Sequence, residues 1–187
     1  KEIVKDAEIY PGFDAQLVDD LRRSLDAMLD DAVWGESGDF RQLFNSNQVY
    51  TTARLAEFYG AAWQPAEPLS GNQLVKTGTL PPQSHLGLLT HPYLLSRLAD
   101  HNVSSPIHRG IFLVRYVLGR TLRPPADAFA PLSPDLHPEL TTRQRVDLQT
   151  SPESCQVCHH KINGLGFTLE HFDAVGRYRA SEQGQPI

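Results

Sequence analysis

Residues 155–159 read Cys-Gln-Val-Cys-His, and these two cysteines are the only ones among the 187 residues. Two thiols with two residues between them in a helical turn match the separation of the two vinyl groups of a porphyrin. Each thiol can add across one vinyl group, its sulfur forming a thioether to one carbon and its hydrogen passing to the other. The His that comes next is directed under the ring, where an imidazole nitrogen binds iron. All three residue types are present at the required spacing. Cys155, Cys158 and His159 are therefore predicted to attach one haem c per chain.

The same residues admit other chemistry. A zinc site could use Cys155, Cys158 and either His159 or His160, but the sequence has no second Cys pair or paired-His motif to close a tetrahedron. A thiol–disulfide redox pair is a further reading, and the βαβ pattern that accompanies one is missing. A stabilising disulfide framework is excluded, because the one possible bridge would close only a tiny loop.

A haem needs a second axial ligand or an open position. The sole methionine, Met28, falls on an apolar stripe and is assigned to the core, and no Met comes after the motif, so a His/Met pair is not expected. His160 points about 100° around the helix from His159 and cannot reach the opposite face of the same ring. His137 lies in a Pro-rich stretch, His101 in a polar turn and His85 in a loop; His108 suits solvent or a propionate, and His171 the haem edge. His91 is the choice for the second position. It sits in an apolar segment just before Pro92, whose ring holds the His91 backbone extended. The alternative is five-coordinate iron. Arg109, with Arg115, Arg120 and Arg177, is a candidate for the propionates, and Phe167, Leu169 and Phe172 are candidates to pack on the ring.

The elements that must position these groups are mostly helical. Leu17, Leu21, Leu25, Met28 and Leu29 recur at helical spacing after Asp14, predicting a capped helix to about Val33. Further helices are expected over 52–59, from Pro92, from Ser105-Pro106 to Gly119, from Thr141 or Thr142 to Leu148, and from Ser151-Pro152 through the cysteines. The 105–119 helix is strongly apolar and is expected at the centre of the core. Residues 61–84 read as a loop with one short strand near 73–76. Residues 123–138 hold five prolines and read as a surface wrap or linker, and Asn163–Gly166 as a turn. The expected fold is a mostly α, c-type cytochrome-like domain with long Pro-rich loops and little β. Its expected parts are an N-terminal helical segment, 1–104, and a haem-attachment segment, 105–187, packed as one unit.

Composition narrows the function. A formal charge of −5 argues against nucleic acid, whose phosphates need a basic face, and the local basic clusters around Arg109–Arg123 and Arg177–Arg179 form no continuous stripe. No stretch approaches the roughly 20 apolar residues of a membrane span. The chain starts at Lys1 without a signal peptide, as expected of a processed protein or a piece of a longer one.

The run CQVCHHKINGLGFTLEHFDAVGRYR at 155–179 resembles a segment of large, uncharacterised cytochrome-like proteins typical of planctomycetes. FNSNQVYTTARLAEFYG at 44–60, GLLTHPYLL at 87–95 and SSPIHRGIFLVRYVLGRTLRPP at 104–125 are similar to pieces of the same family, in the same order. In that family they belong to two adjacent domains of unknown function inside longer chains. A Pro common after the motif is replaced here by Asn163-Gly164, and the proline run is thinner, changes that leave the haem-binding residues untouched. The resemblance implies a mono-haem c-type cytochrome that carries electrons to a redox partner protein or to neighbouring domains of a parent chain. Attachment of c-type haem, which takes place on the outer side of an energy-coupling membrane, makes a periplasmic or otherwise exported location the expected one. The reading favours a carrier over an enzyme. Its alternatives are an open-site haem enzyme or gas sensor, with His91 as a distal group, and a zinc-stapled interaction module.

Overall fold

The computed structural model describes residues 2–60, 63–65, 69–77, 80–81, 85–122 and 137–187. The described residues are mostly helical, with two small two-stranded sheets. They form two compact units: Lys1–Arg97 with Val175–Tyr178, and Leu98–Ala174 with Arg179–Ile187. The Pro-rich stretch 123–136 lies outside the described residues.

The first unit is built on α1, Ala15–Trp34. Asp14 caps it as predicted, its carboxylate accepting the Leu17 amide at 2.8 Å, which satisfies one of the first-turn donors that a helix leaves open. The buried stripe of α1 runs through Leu17, Asp20, Leu21, Ser24, Met28 and Ala32, so Met28 fills core. α2 is Gln42–Asn45, α3 is Ala53–Tyr59 and α4 is Pro92–Arg97. Thr52 caps α3 and also donates to Asp20 Oδ2 at 2.9 Å. Arg54 and Arg23 complete the partners of this buried carboxylate, at 3.4 and 3.2 Å. A buried charge needs such partners to offset its lost hydration. The predicted strand appears as β2, Val75–Lys76, antiparallel to β1, Tyr50–Thr51.

The second unit contains the cysteines. α5 spans Pro106–Phe112, α6 Thr142–Thr150 and α7 Glu153–Phe167. Thr141 and Gln144 form a reciprocal capping box at the start of α6. The chain ends in a hairpin, β3 (Ser181–Glu182) with β4 (Gln185–Pro186). Gln183 and Gly184, both at positive φ, make its two-residue turn.

Two expectations are corrected. Asn163–Gly166 is not a turn but the last part of α7, which runs unbroken to Phe167. Gly166 serves close packing: a Cβ there would lie 2.0 Å from the Pro106 carbonyl oxygen of α5. The 105–119 segment is not one helix in the core. After Phe112 it widens into a π-helical turn, Leu113–Val117. Leu113 and Val114 are buried, whereas Tyr116 is 75% and Leu118 52% exposed.

Arg109, the largest fully buried side chain among the described residues, ties the second unit together. Its guanidinium donates to the carbonyls of Leu169, Phe172 and Asp173, each at 2.7 Å, and so fixes the turn after α7. Among the described residues, no helix is long and apolar enough to cross a membrane.

Candidate functional site

Cys155, Cys158 and His159 share one face of α7. Positions three and four apart stack along a helix, so this face continues through Ile162, Asn163 and Gly166, the buried residues of α7. Its lower half is packed and its upper half is not: both cysteines and His159 are half-buried. Both cysteines are free thiols.

The element that packs on this face is α5. Gly166 meets the carbonyl of Pro106, and a Cβ on Gly110 would lie 2.1 Å from the carbonyl of Ile162. These contacts fix an antiparallel crossing with helix backbones almost touching. Continued by one turn, the same order brings the π-helical turn Leu113–Val117 beside 155–159, and the π turn and α7 are in contact. The seam is thus closed at its glycine end; in the π turn and just after it Leu113 and Val114 are buried, whereas Tyr116, Val117 and Leu118 are exposed apolar side chains. A π turn in a helix commonly marks a functional site, because the extra residue re-aims the side chains beyond it.

The chemistry of His159 is set by its neighbours. Thr150 Oγ1 donates its one hydrogen to the Val146 carbonyl at 2.8 Å. It therefore accepts from Asn163 Nδ2, also at 2.8 Å, which turns Asn163 Oδ1 toward His159 Nδ1 at 3.0 Å. An amide oxygen only accepts, so the His159 proton sits on Nδ1, the tautomer being assigned from this network. The lone pair on Nε2 is left for a metal. Histidines that ligate metals characteristically hold their second ring nitrogen in this way.

Residues 85–182 match PSCyt3, described as a protein of unknown function (DUF1588). The chain belongs to the PSCyt3 family. Residues 1–61 match PSD4, described as a protein of unknown function (DUF1592). Both are planctomycete-type cytochrome-like families of unknown function. The PSCyt3 match takes in the cysteine pair, α5, the π turn, α6 and α7. Comparison with curated proteins and with solved structures gives no match.

The other residues singled out in this PSCyt3 chain take varied positions. His91 belongs to the first unit and is fully buried. Its Nδ1 accepts the Tyr93 amide at 3.2 Å, and its Nε2 faces Ser24 Oγ at 3.4 Å, while Ser24 donates to the Tyr50 carbonyl. The His91 proton is accordingly on Nε2, the reverse of His159. Burial, and then the neighbouring His85, push its pKa well below the usual value. His85, ring centroid 6.0 Å away, is pushed down to about 4 by burial. Arg109 is committed to backbone carbonyls. Phe172 is core of the second unit, and Phe167 lies under the Arg143 guanidinium at 4.4 Å. His160 is exposed and its Nδ1 lies 2.6 Å from the Gln156 carbonyl, on its own helix. His171 Nδ1 lies 3.1 Å from the Arg179 carbonyl. Sequence reasoning missed Thr150, Asn163 and the glycine pair. The spacing of Asn163, four residues after His159, was the available signal for the first two.

Among the described residues there is no group of three or more His, Cys, Asp or Glu side chains placed to hold a metal. The donor set at 155–159 fits haem instead. It offers two free thiols and one imidazole with Nε2 unprotonated on a single half-buried face.

Proposed function

We propose that this chain carries one haem c, linked through thioethers at Cys155 and Cys158 with His159 Nε2 as proximal ligand, and serves as a one-electron carrier. The observation that carries the proposal is the Thr150–Asn163–His159 chain, which presents the correct imidazole nitrogen on the same face as both thiols. The haem supplies a reversible one-electron couple when bound. Cys155 and Cys158 would anchor it, and Asn163, held by Thr150, would orient His159. The donor and acceptor are a redox partner protein or neighbouring domains of a longer chain. The compartment is the periplasm or another exported location.

His91 as second axial ligand would first have to move its proton from Nε2 to Nδ1 and release the Tyr93 amide. That observation favours a second reading, in which the iron keeps an open position and the chain is a haem enzyme or gas sensor. The two readings separate in one sample. A carrier gives low-spin spectra that change in a His91→Ala variant; an open site gives high-spin ferric absorption that shifts with cyanide.

The proposal is tested by producing the chain together with c-type haem attachment machinery. After denaturing electrophoresis, haem staining should track the wild-type band, weaken in Cys155→Ala and in Cys158→Ala, and vanish in the double variant. A colourless chain that binds zinc would refute it.

A further inference from the structure

We propose that Asn163, aimed by Thr150, is a positioning residue that strengthens His159 as an electron donor and so lowers the reduction potential of the attached haem; this rests on the haem reading of the site. The relay spans two helices, with Val146 and Thr150 on α6 and His159 and Asn163 on α7. Thr150 is 2% and Asn163 8% exposed, so water does not compete strongly for their hydrogen bonds. The direction of the relay is fixed at its far end. Thr150 has one hydrogen, and the Val146 carbonyl takes it at 2.8 Å. A flipped Asn163 amide would set its oxygen against the Thr150 lone pairs, because the Thr150 hydrogen is already given to the Val146 carbonyl. Two buried acceptors would then face each other without a donor, at a cost that keeps the amide as it is.

The consequence is electronic. An N–H held by a buried amide oxygen shares its proton, which shifts electron density toward Nε2 and makes the imidazole a stronger electron donor to iron. A stronger proximal donor stabilises ferric over ferrous iron, so the potential falls; second-sphere hydrogen bonding of this kind is a main lever on haem potentials. The sign is set by the acceptor alone. Removing it should raise the potential, and replacing it by a charged acceptor should lower it.

The test uses the full chain loaded with haem, reading the ratio of reduced to oxidised haem optically at a fixed ambient potential. Asn163→Leu should raise that ratio roughly tenfold, which for a one-electron couple is about 59 mV upward. Asn163→Asp should lower the ratio. Thr150→Val, close in shape, frees the amide to turn and should give a smaller rise than Asn163→Leu. A purely structural role would not move the Leu and Asp variants in opposite directions. A second measurement needs no haem: nitrogen-15 shifts of His159 in the unloaded chain should show a protonated Nδ1 and bare Nε2, becoming a mixture in Asn163→Leu. Leu and Asp variants that carry haem but shift the ratio in the same direction, or not at all, would overturn the proposal. So would a His159 proton on Nε2. Failure of the wild-type chain to take up covalent haem overturns the haem reading, and the potential effect with it, whereas the nitrogen-15 arm still decides whether the relay exists.

Discussion

Two glycines two residues apart in α7 should respond oppositely to the same substitution. Gly164 has nothing within 4 Å of where a Cβ would stand, whereas the Cβ of Gly166 would lie 2.0 Å from the Pro106 carbonyl oxygen and 2.7 Å from its carbon. In a helix interior, alanine is better than glycine by up to about 1 kcal/mol. At position 164 that gain is unopposed, so Gly164→Ala should stabilise the chain by about 0.5–1 kcal/mol. At position 166 the clashing atoms are backbone, which no rotamer change can move aside. The helices must separate, and overpacking of this kind costs about 1–3 kcal/mol, occasionally more. Taking about 3 kcal/mol for so close an approach, less about 1 kcal/mol of propensity, Gly166→Ala should lose about 2 kcal/mol. With a urea m-value of about 2 kcal/mol/M, that moves the unfolding midpoint down by about 1 M. Far-UV circular dichroism against urea measures both variants. A Gly166→Ala midpoint equal to or above wild type, with m unchanged, would refute the packed-seam argument.

The buried histidines and the buried arginine each have a measurable effect on stability. His85 and His91 are neutral in the folded chain, so between pH 6.5 and about 4 the unfolded state binds more protons than the folded one. Stability should be complete above pH 6.5 and fall as pH drops through that window. At about 1.4 kcal/mol per unit, His85 alone accounts for about 3 kcal/mol of that loss; His85→Gln should flatten the dependence in urea titrations at pH 7 and pH 4.5, and an equally steep dependence in that variant would count against the argument. Arg109→Met keeps the stem volume but leaves the carbonyls of Leu169, Phe172 and Asp173 without their donor. It should cost about 3–5 kcal/mol, and Arg109→Lys should recover less than half of that, because one ammonium cannot reproduce the guanidinium fork. A midpoint for Arg109→Met within error of wild type would show that these contacts contribute little.

Local chemistry was the part of this chain most legible in its residues. Asp14, Thr52 and Thr141 cap helices because a short side-chain oxygen meets orphan amides within three residues, a rule that needs no tertiary information. The Cys-x-x-Cys-His spacing likewise places three donors on one helical face whatever surrounds it. What escaped was set by contact between elements. Asn163-Gly164 has the composition of a turn, and only the crossing of α5 shows why Gly166 sits inside a helix. Arg109 looked like an anion contact because nothing local reveals that three carbonyls sixty and more residues later converge on it.

The exposed apolar strip is a product of the same crossing. A regular α-helix from Pro106 to Leu118 would keep one face against α7 along its whole length, and its apolar residues would close the seam over Cys155 and His159. The glycine contacts at Pro106–Gly166 and Gly110–Ile162 hold the helices too close for a flat group to enter at that end. One extra residue in the π turn shifts the face presented by everything after it, so Leu113 and Val114 stay packed while Tyr116, Val117 and Leu118 are left uncovered. An uncovered apolar strip normally costs solubility, and the turn that carries it is in contact with α7, the helix of the two thiols and His159. Straightening the π turn by deleting one residue, Arg115, should therefore bury Val117, raise the urea midpoint and reduce haem loading together. A deletion that raises stability while loading haem fully would separate the strip from the haem.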